Sequence, residues 1–167
     1  MQLEVIQSIN AEPAGVIWAF RTEAFYRSLR DLPFVGSPEL VSFESNGADV
    51  LIDLRYRGAI DLPGPARAFI DPDKLTFVES SRLHPDGTGT FEIRPDHYGT
   101  LLSSSGETAV SGDSGACQRT MAGSLDVDLG WKGKIFEHEA EKAIAGGLEQ
   151  ALLAQVAQVE AFVNAVA

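Results

Sequence analysis

Three polar residues sit where the local alternation of the chain places apolar ones. In the run Cys117 to Leu129, Arg119 has the parity of Cys117, Met121, Leu125 and Val127. Glu79 has the parity of Leu75 and Phe77, and Tyr56 continues the set Val50, Ile52 and Leu54. Side chains of a strand alternate between two faces, so each group points the way its apolar neighbours point. A guanidinium on an inner face offers a planar fork of donors that suits a ligand carboxylate or phenolate. A carboxyl there is desolvated, which raises its pKa and suits general acid or base work. A tyrosine hydroxyl there could orient a ligand. Each residue also has a plainer reading. A bulge beside Gly115 would shift the parity of Arg119, or the side chain would pair near a rim with Glu79 or Glu92. Glu79 would bridge to an arginine of a neighbouring strand, and Tyr56 would pack in the core.

The other reactive residues form no recognised pattern. His84, His97 and His138 fall in a turn, a turn and a helix, without the spacing of metal ligands. Ser103-Ser104-Ser105 has no Gly-x-Ser-x-Gly elbow and no triad partner. Gly112, Gly115 and Gly123 are not followed by Gly-Lys-Ser/Thr, so no phosphate loop is present. Cys117, alone in an apolar strand, reads as a packed thiol. No catalytic residue, metal or cofactor is assigned.

Bulk properties narrow the partners. The 167 residues suit one domain, 1–167, with a substantial core. Hydrophobic residues make up 44% and charged ones 22%, the balance of a globular protein. A net charge of -11 opposes binding to nucleic acid, which needs a basic stripe, and opposes an anionic membrane surface. The densest basic stretches, Arg55 to Arg67 and Lys132 to Lys134, are too sparse to offset it. A single cysteine excludes an intrachain disulfide and suits a reducing cytoplasm. Met1 to Val5 shows no secretory signal, and no apolar run is long enough to span a bilayer. The oligomeric state is not legible.

The elements that must hold the three polar residues follow from periodicity. Leu3, Val5, Gln7 and Ile9 alternate with Glu4, Ile6 and Ser8 as a strand. Pro13 opens a helix through Val16, Ile17, Phe20, Ala24 and Phe25, ending before Pro33. Glu39–Phe43 and Val50–Arg57 flank Asn46-Gly47, a hairpin signal read as a type I′ turn. A break at Asp61 to Pro65 and a short helical turn over Ala66 to Ile70 lead to Leu75–Leu83. Thr88–Arg94, Thr100–Val110 and Cys117–Asp128 follow across turns at His84 to Gly87, Pro95 to Gly99 and Ser111 to Gly115. Beyond Gly130-Trp131-Lys132-Gly133, a long helix carries an apolar stripe through Phe136, Ala140, Ile144, Leu148, Ala151, Leu152, Val156 and Val159. At about 1.5 Å per residue it would be roughly 45 Å long, so it must cross a whole sheet or pair with another helix. Strand, helix, six strands and long helix give an α+β protein of two layers with an antiparallel meander. Gly146-Gly147 inside the helix costs roughly 1 kcal/mol per glycine, in return for ligand space, a bend, or close approach to the sheet.

That order resembles the START-like, helix-grip superfamily, also called SRPBCC, and within it a bacterial branch of uncharacterised function. The resemblance rests on Ile9 to Pro13 leading into Val16 to Phe20; on Leu62-Pro63 with Arg67, Phe69 and Ile70; on Leu75 with Phe77-Val78-Glu79; and on Gly123 to Val127 running to Gly133 to Glu137. It spans almost the whole chain, and the polar Arg119 departs from the aliphatic residue expected there. It implies a curved antiparallel sheet of about seven strands wrapped around the C-terminal helix. Between them it implies a cavity for an apolar small molecule such as a lipid or polyketide. The expected lining is Tyr56, Phe77, Glu79, Arg119, Met121 and Leu125 from the sheet, Trp131 at the junction, where it would gate the cavity mouth or plug the end of the core, and Ile144 and Leu148 from the helix. Fold does not choose between carriage of that molecule, a cyclase, aromatase or hydratase using the same cavity, and a co-chaperone-like interaction module.

Overall fold

The structure, a computed structural model, describes residues 1–59, 64, 66–68, 71–99 and 102–166. Seven strands form one antiparallel sheet: β1 (Gln2–Ile9), β2 (Glu39–Asn46), β3 (Asp49–Arg57), β4 (Thr76–Leu83), β5 (Thr88–Pro95), β6 (Leu102–Asp113) and β7 (Ala116–Val127). Their spatial order is β1-β7-β6-β5-β4-β3-β2, so β2 to β7 run as a meander and β1 closes on the last strand. Two short helices, α1 (Pro13–Phe20) and α2 (Glu23–Ser28), lie between β1 and β2 in sequence. After β7 come a single helical turn, α3 (Gly130–Gly133), a 3-10 turn (Lys134–Phe136) and the 30-residue α4 (Glu137–Val166). Leu62, Pro63, Phe69 and Ile70, which carry part of the resemblance, lie outside the described residues, as do Thr100 and Leu101 at the expected start of β6.

The expected faces hold along the strands. Val50, Ile52, Leu54 and Tyr56 are buried on β3, while Arg57 is exposed and Asp53 and Arg55 are half-buried. Cys117, Arg119, Met121, Leu125 and Val127 are buried on β7. The β6–β7 register runs without a shift from Asp113↔Ala116 to Leu102↔Val127. No bulge beside Gly115 therefore rotates Arg119 outward, and its inward parity stands.

Two local expectations need correction. The helix from Pro13 breaks after Phe20, because Thr22 takes an extended conformation (φ -118°, ψ 125°) and its hydroxyl donates to Trp18 O at 2.7 Å. A β-branched residue that bonds back to the preceding turn competes with helix continuation. The β2–β3 hairpin forms, but Asn46 pairs with Asp49, which leaves Gly47-Ala48 as its two central residues. Only Gly47 has positive φ there (65°), the pattern of a type II′ turn with glycine first rather than type I′.

The core divides into two clusters. The larger joins α1, α2 and the C-terminal half of α4 to the sheet and includes Phe25, Leu29, Ile52, Phe77, Met121 and Val159. Phe162 on α4 stacks on Trp18 at 5.6 Å and meets Phe25 edge-on at 5.4 Å. The smaller cluster joins Leu102, Leu125, Val127 and Leu129 to Ala140, Ile144 and Ala145 at the start of α4. Each fully buried Leu, Ile or Phe contributes about 1.5–3 kcal/mol relative to exposure, which holds α4 across the sheet at both ends.

Between those ends lies Gly146, where a Cβ would meet no atom within 4 Å. Close approach to the sheet does not explain this glycine. Gly146→Ala is therefore expected to stabilise the fold by about 0.5–1 kcal/mol. A rise in Tm of about 1–4 °C would show it; an unchanged or lower Tm would mean that the helix needs the flexibility.

Candidate functional site

The sheet and α4 enclose a cavity of ≈ 30 Å³. Tyr56, Phe77, Phe91 and Met121 line it from the sheet, and Leu148, Ala151, Leu152 and Gln155 from α4. Leu32 and Val35, from the segment between α2 and β2, line it as well. One carboxyl reaches this apolar wall, that of Glu79. A smaller space of ≈ 10 Å³ adjoins it through the shared residues Tyr56, Glu79, Leu152 and Gln155. Arg119 and Tyr26 line that second space. At roughly 10–15 Å³ per water, the two spaces hold a few waters at most. A drug-sized ligand needs about 300–1,000 Å³, so a larger occupant enters only if side chains on α4 move.

Arg119 is buried at 6% exposure and is held from three elements. Its Nε donates to Thr108 Oγ1 on β6 at 3.1 Å. Its Nη1 donates to Gln7 Oε1 on β1 at 3.1 Å and to Gln155 Oε1 on α4 at 3.2 Å. The ring of Phe20 lies under the guanidinium, 4.1 Å from centroid to Cζ, a favourable cation–π contact. All three hydrogen-bond acceptors are neutral, and among the described residues no hydrogen bond from Nη2 is present. The rim pairing with Glu92 does not occur: Glu92 is exposed and takes Arg94 at 2.5 Å.

Glu79 is half-buried and accepts a hydrogen bond from Ser81 Oγ at 3.0 Å. Burial pushes its carboxyl above the usual range, against the attraction of Arg119 and hydrogen bonds from the Ser81 and Tyr56 hydroxyls. Burial likewise pushes up the hydroxyl of Tyr56, with the Glu79 charge adding to it. The Tyr26 hydroxyl is pushed up by burial too, and it donates to Phe20 O at 2.5 Å. Burial disfavours the charge on Arg119, offset in part by Tyr26, Glu79 and Tyr56. Arg119, Glu79 and Tyr56 thus share one enclosed space rather than different surfaces.

The raised carboxyl sets a pH dependence. The folded state holds the Glu79 proton more tightly than the unfolded chain, so its contribution to stability falls as pH rises above the ordinary value of 4.5. Below 4.5 both states are protonated and the penalty vanishes. Glu79→Gln should therefore melt higher than the wild type at pH 8, with the gap closing as pH falls below 4.5. A gap independent of pH in a series of thermal melts would show that Glu79 titrates normally.

The other expected lining residues divide between the cavity and other places. Phe77, Met121 and Leu148 line the main cavity. Leu125 and Ile144 instead pack against each other's neighbours in the smaller core cluster. Trp131, 85% exposed, lines neither space and does not plug the core. Sequence reasoning missed Gln7, Gln155, Thr108 and Tyr26. Two of these carried a signal: Gln7 has the parity of buried Val5 and Ile9, and Gln155 lies four residues from both Ala151 and Val159 on the buried stripe of α4.

No family model matches the chain, and no curated protein does. Solved structures do. TTHA0849 from Thermus thermophilus superposes with a TM-score of 0.66 at 14% identity, over 100% of this chain and 99% of that one. Zhui aromatase/cyclase from Streptomyces sp. R1128 gives 0.63 at 15% identity over 98% and 93%. Ara h 8.0201 gives 0.53 at 12% identity over 99% and 98%. Likeness at this identity speaks for architecture. Together with the meander, the closing β1–β7 pair and α4 laid across the sheet, it shows that the chain takes the helix-grip fold.

Proposed function

We propose that this protein binds or carries an apolar small molecule, a lipid, polyketide or similar, between its sheet and α4. The observation that carries this reading is the enclosed apolar cavity that ends in a small set of convergent polar groups. Three of the residues in its α4 wall, Leu148, Leu152 and Gln155, lie on a single helix face, so a modest displacement of one element enlarges the space. The likeness to an aromatase/cyclase supports the reading at the level of architecture. Native mass spectrometry of protein purified from its own host tests it. A noncovalent adduct, lost on transfer to organic solvent, is the expected result. Apo mass alone, together with a crystal structure showing the core filled by side chains, would sink the idea.

A second reading, an enzyme of the cyclase, aromatase or hydratase kind, is favoured by one observation: Arg119, Glu79 and Tyr56 line the same space. A carboxyl that keeps its proton can act as general acid, and a guanidinium can stabilise developing negative charge. On this reading Glu79→Gln abolishes turnover of a bound ligand while leaving its affinity intact. Equal loss of both would leave Glu79 a binding group only.

A further inference from the structure

The state of Arg119 narrows the chemical class of the occupant, an inference that rests on the cavity reading above. A guanidinium buried in protein is costly unless its charge is matched and its donors satisfied. Here Nε is taken by Thr108 and Nη1 by Gln7 and Gln155, all neutral, and burial favours the uncharged form of Glu79, which lines the same space. Among the described residues Nη2 carries no hydrogen bond, so departure of Gln155 from Nη1 would open the Nη1–Nη2 edge. Two parallel N–H donors on one edge match the two oxygens of a carboxylate, the bidentate pairing that Arg makes best.

Gln155 occupies the approach to that edge. Its amide oxygen sits on Nη1, and its side chain lines both the main cavity and the space that holds Arg119. It therefore stands between the guanidinium and any occupant of the cavity. Among the described residues it is one of two polar tethers from the middle of α4 to the sheet; the other is Gln7 Nε2 donating to Leu152 O. Gln7 and Arg119 are direct cross-strand partners, so both tethers hang from one point of the β1–β7 pair.

We propose that the occupant is an apolar carboxylic acid, bound as its carboxylate, which displaces the Gln155 amide from Arg119 and in doing so releases one of the two tethers of α4. The neutral amide is a placeholder for the anion. Its departure frees the same helix segment, Leu148 to Gln155, that must move to make room for an apolar body. Head-group recognition and opening are thus one event, and an uncharged molecule of the same shape fills the cavity without the gain at Arg119.

Decanoate and 1-decanol, titrated by calorimetry below their aggregation limits, separate the charge inference from the cavity reading. Decanoate is expected to bind at least tenfold more tightly than 1-decanol. Arg119→Met should erase that preference, bringing the two affinities within threefold of each other. Gln155→Leu, which keeps the guanidinium and removes its competitor, should strengthen decanoate severalfold and widen its preference over 1-decanol; this variant carries the test if Arg119→Met does not fold. Equal binding of acid and alcohol, or weaker decanoate binding by Gln155→Leu, overturns the carboxylate inference and leaves the apolar cavity standing. Failure of the wild type to bind either molecule overturns both.

Discussion

Arg119→Met is expected to lower the stability of the fold by about 3 kcal/mol or more, because three buried polar groups lose their donor at once. Methionine retains much of the arginine stem, so little of the loss comes from packing. It comes from the groups left behind: the side-chain oxygens of Gln7 and Gln155, and Thr108, would lose their donor inside the protein. An unpaired buried polar atom costs about 1–3 kcal/mol. The charge itself is no asset, because desolvation of a guanidinium offsets most of what its partners return. Removing the two glutamines as well should then recover most of the loss. The triple variant Arg119→Met, Gln7→Leu, Gln155→Leu is expected within about 1 kcal/mol of the wild type or above it. Urea denaturation of the single and triple variants measures the difference. A single variant that loses less than about 1 kcal/mol would show that water reaches the orphaned groups.

A comparable loss is expected at a site with no side chain at all. Gly106 on β6 and Gly123 on β7 face each other directly. They fall between the inward pairs Thr108↔Met121 and Ser104↔Leu125. A Cβ on Gly106 would collide with Ala122 O and lie 2.6 Å from Gly123 Cα. A Cβ on Gly123 would collide with Ser105 O and lie 2.8 Å from Gly106 Cα. Every obstacle is backbone, so no rotamer relieves it; the two strands must separate. Glycine inside a strand marks such close approaches and bends. Gly106→Ala and Gly123→Ala should each cost about 3 kcal/mol or more, the upper end for overpacking. That corresponds to a fall in Tm of roughly 6–12 °C. Tolerance of alanine at either position would mean that the sheet is less sharply pinched there.

Much of this arrangement is legible in the residue order, because strand parity is a two-state property that a few residues settle. The inward set of β3, the inward set of β7 and the polar intrusion of Arg119 all follow from alternation. The long stripe after Gly133 likewise specifies a helix that crosses the sheet. What alternation does not carry is position along the third dimension. Leu125 and Ile144 face inward as expected, yet they lie in the smaller core cluster, away from the cavity. The place of Trp131 in the chain suggests a gate or a plug; the helical turn at Gly130–Gly133 leaves it 85% exposed. The partners of Arg119 are hidden for a different reason. Gln7 and Gln155 are far apart in sequence, and only the β1–β7 pairing and the crossing of α4 bring them to one atom. The break at Thr22 is invisible to periodicity, since Ala24 keeps helical spacing with Phe20 although Thr22 between them is extended.

The pairing of β1 with β7 also dictates a timetable. Gln7 waits for Arg119, 112 residues later in the chain. At about 5–20 residues per second, a ribosome takes roughly 6–22 s to deliver it. During that interval β1 has no strand to pair with, the two glutamine tethers have no anchor, and α4 does not yet exist. A sheet dominated by such distant contacts closes in milliseconds to seconds once its last strand emerges. A nascent or prematurely ended chain that stops short of Ala116 therefore carries unpaired strand edges and an uncovered apolar face. Such chains should be aggregation-prone clients of chaperones, whereas full-length chains pass through that state only once, during synthesis.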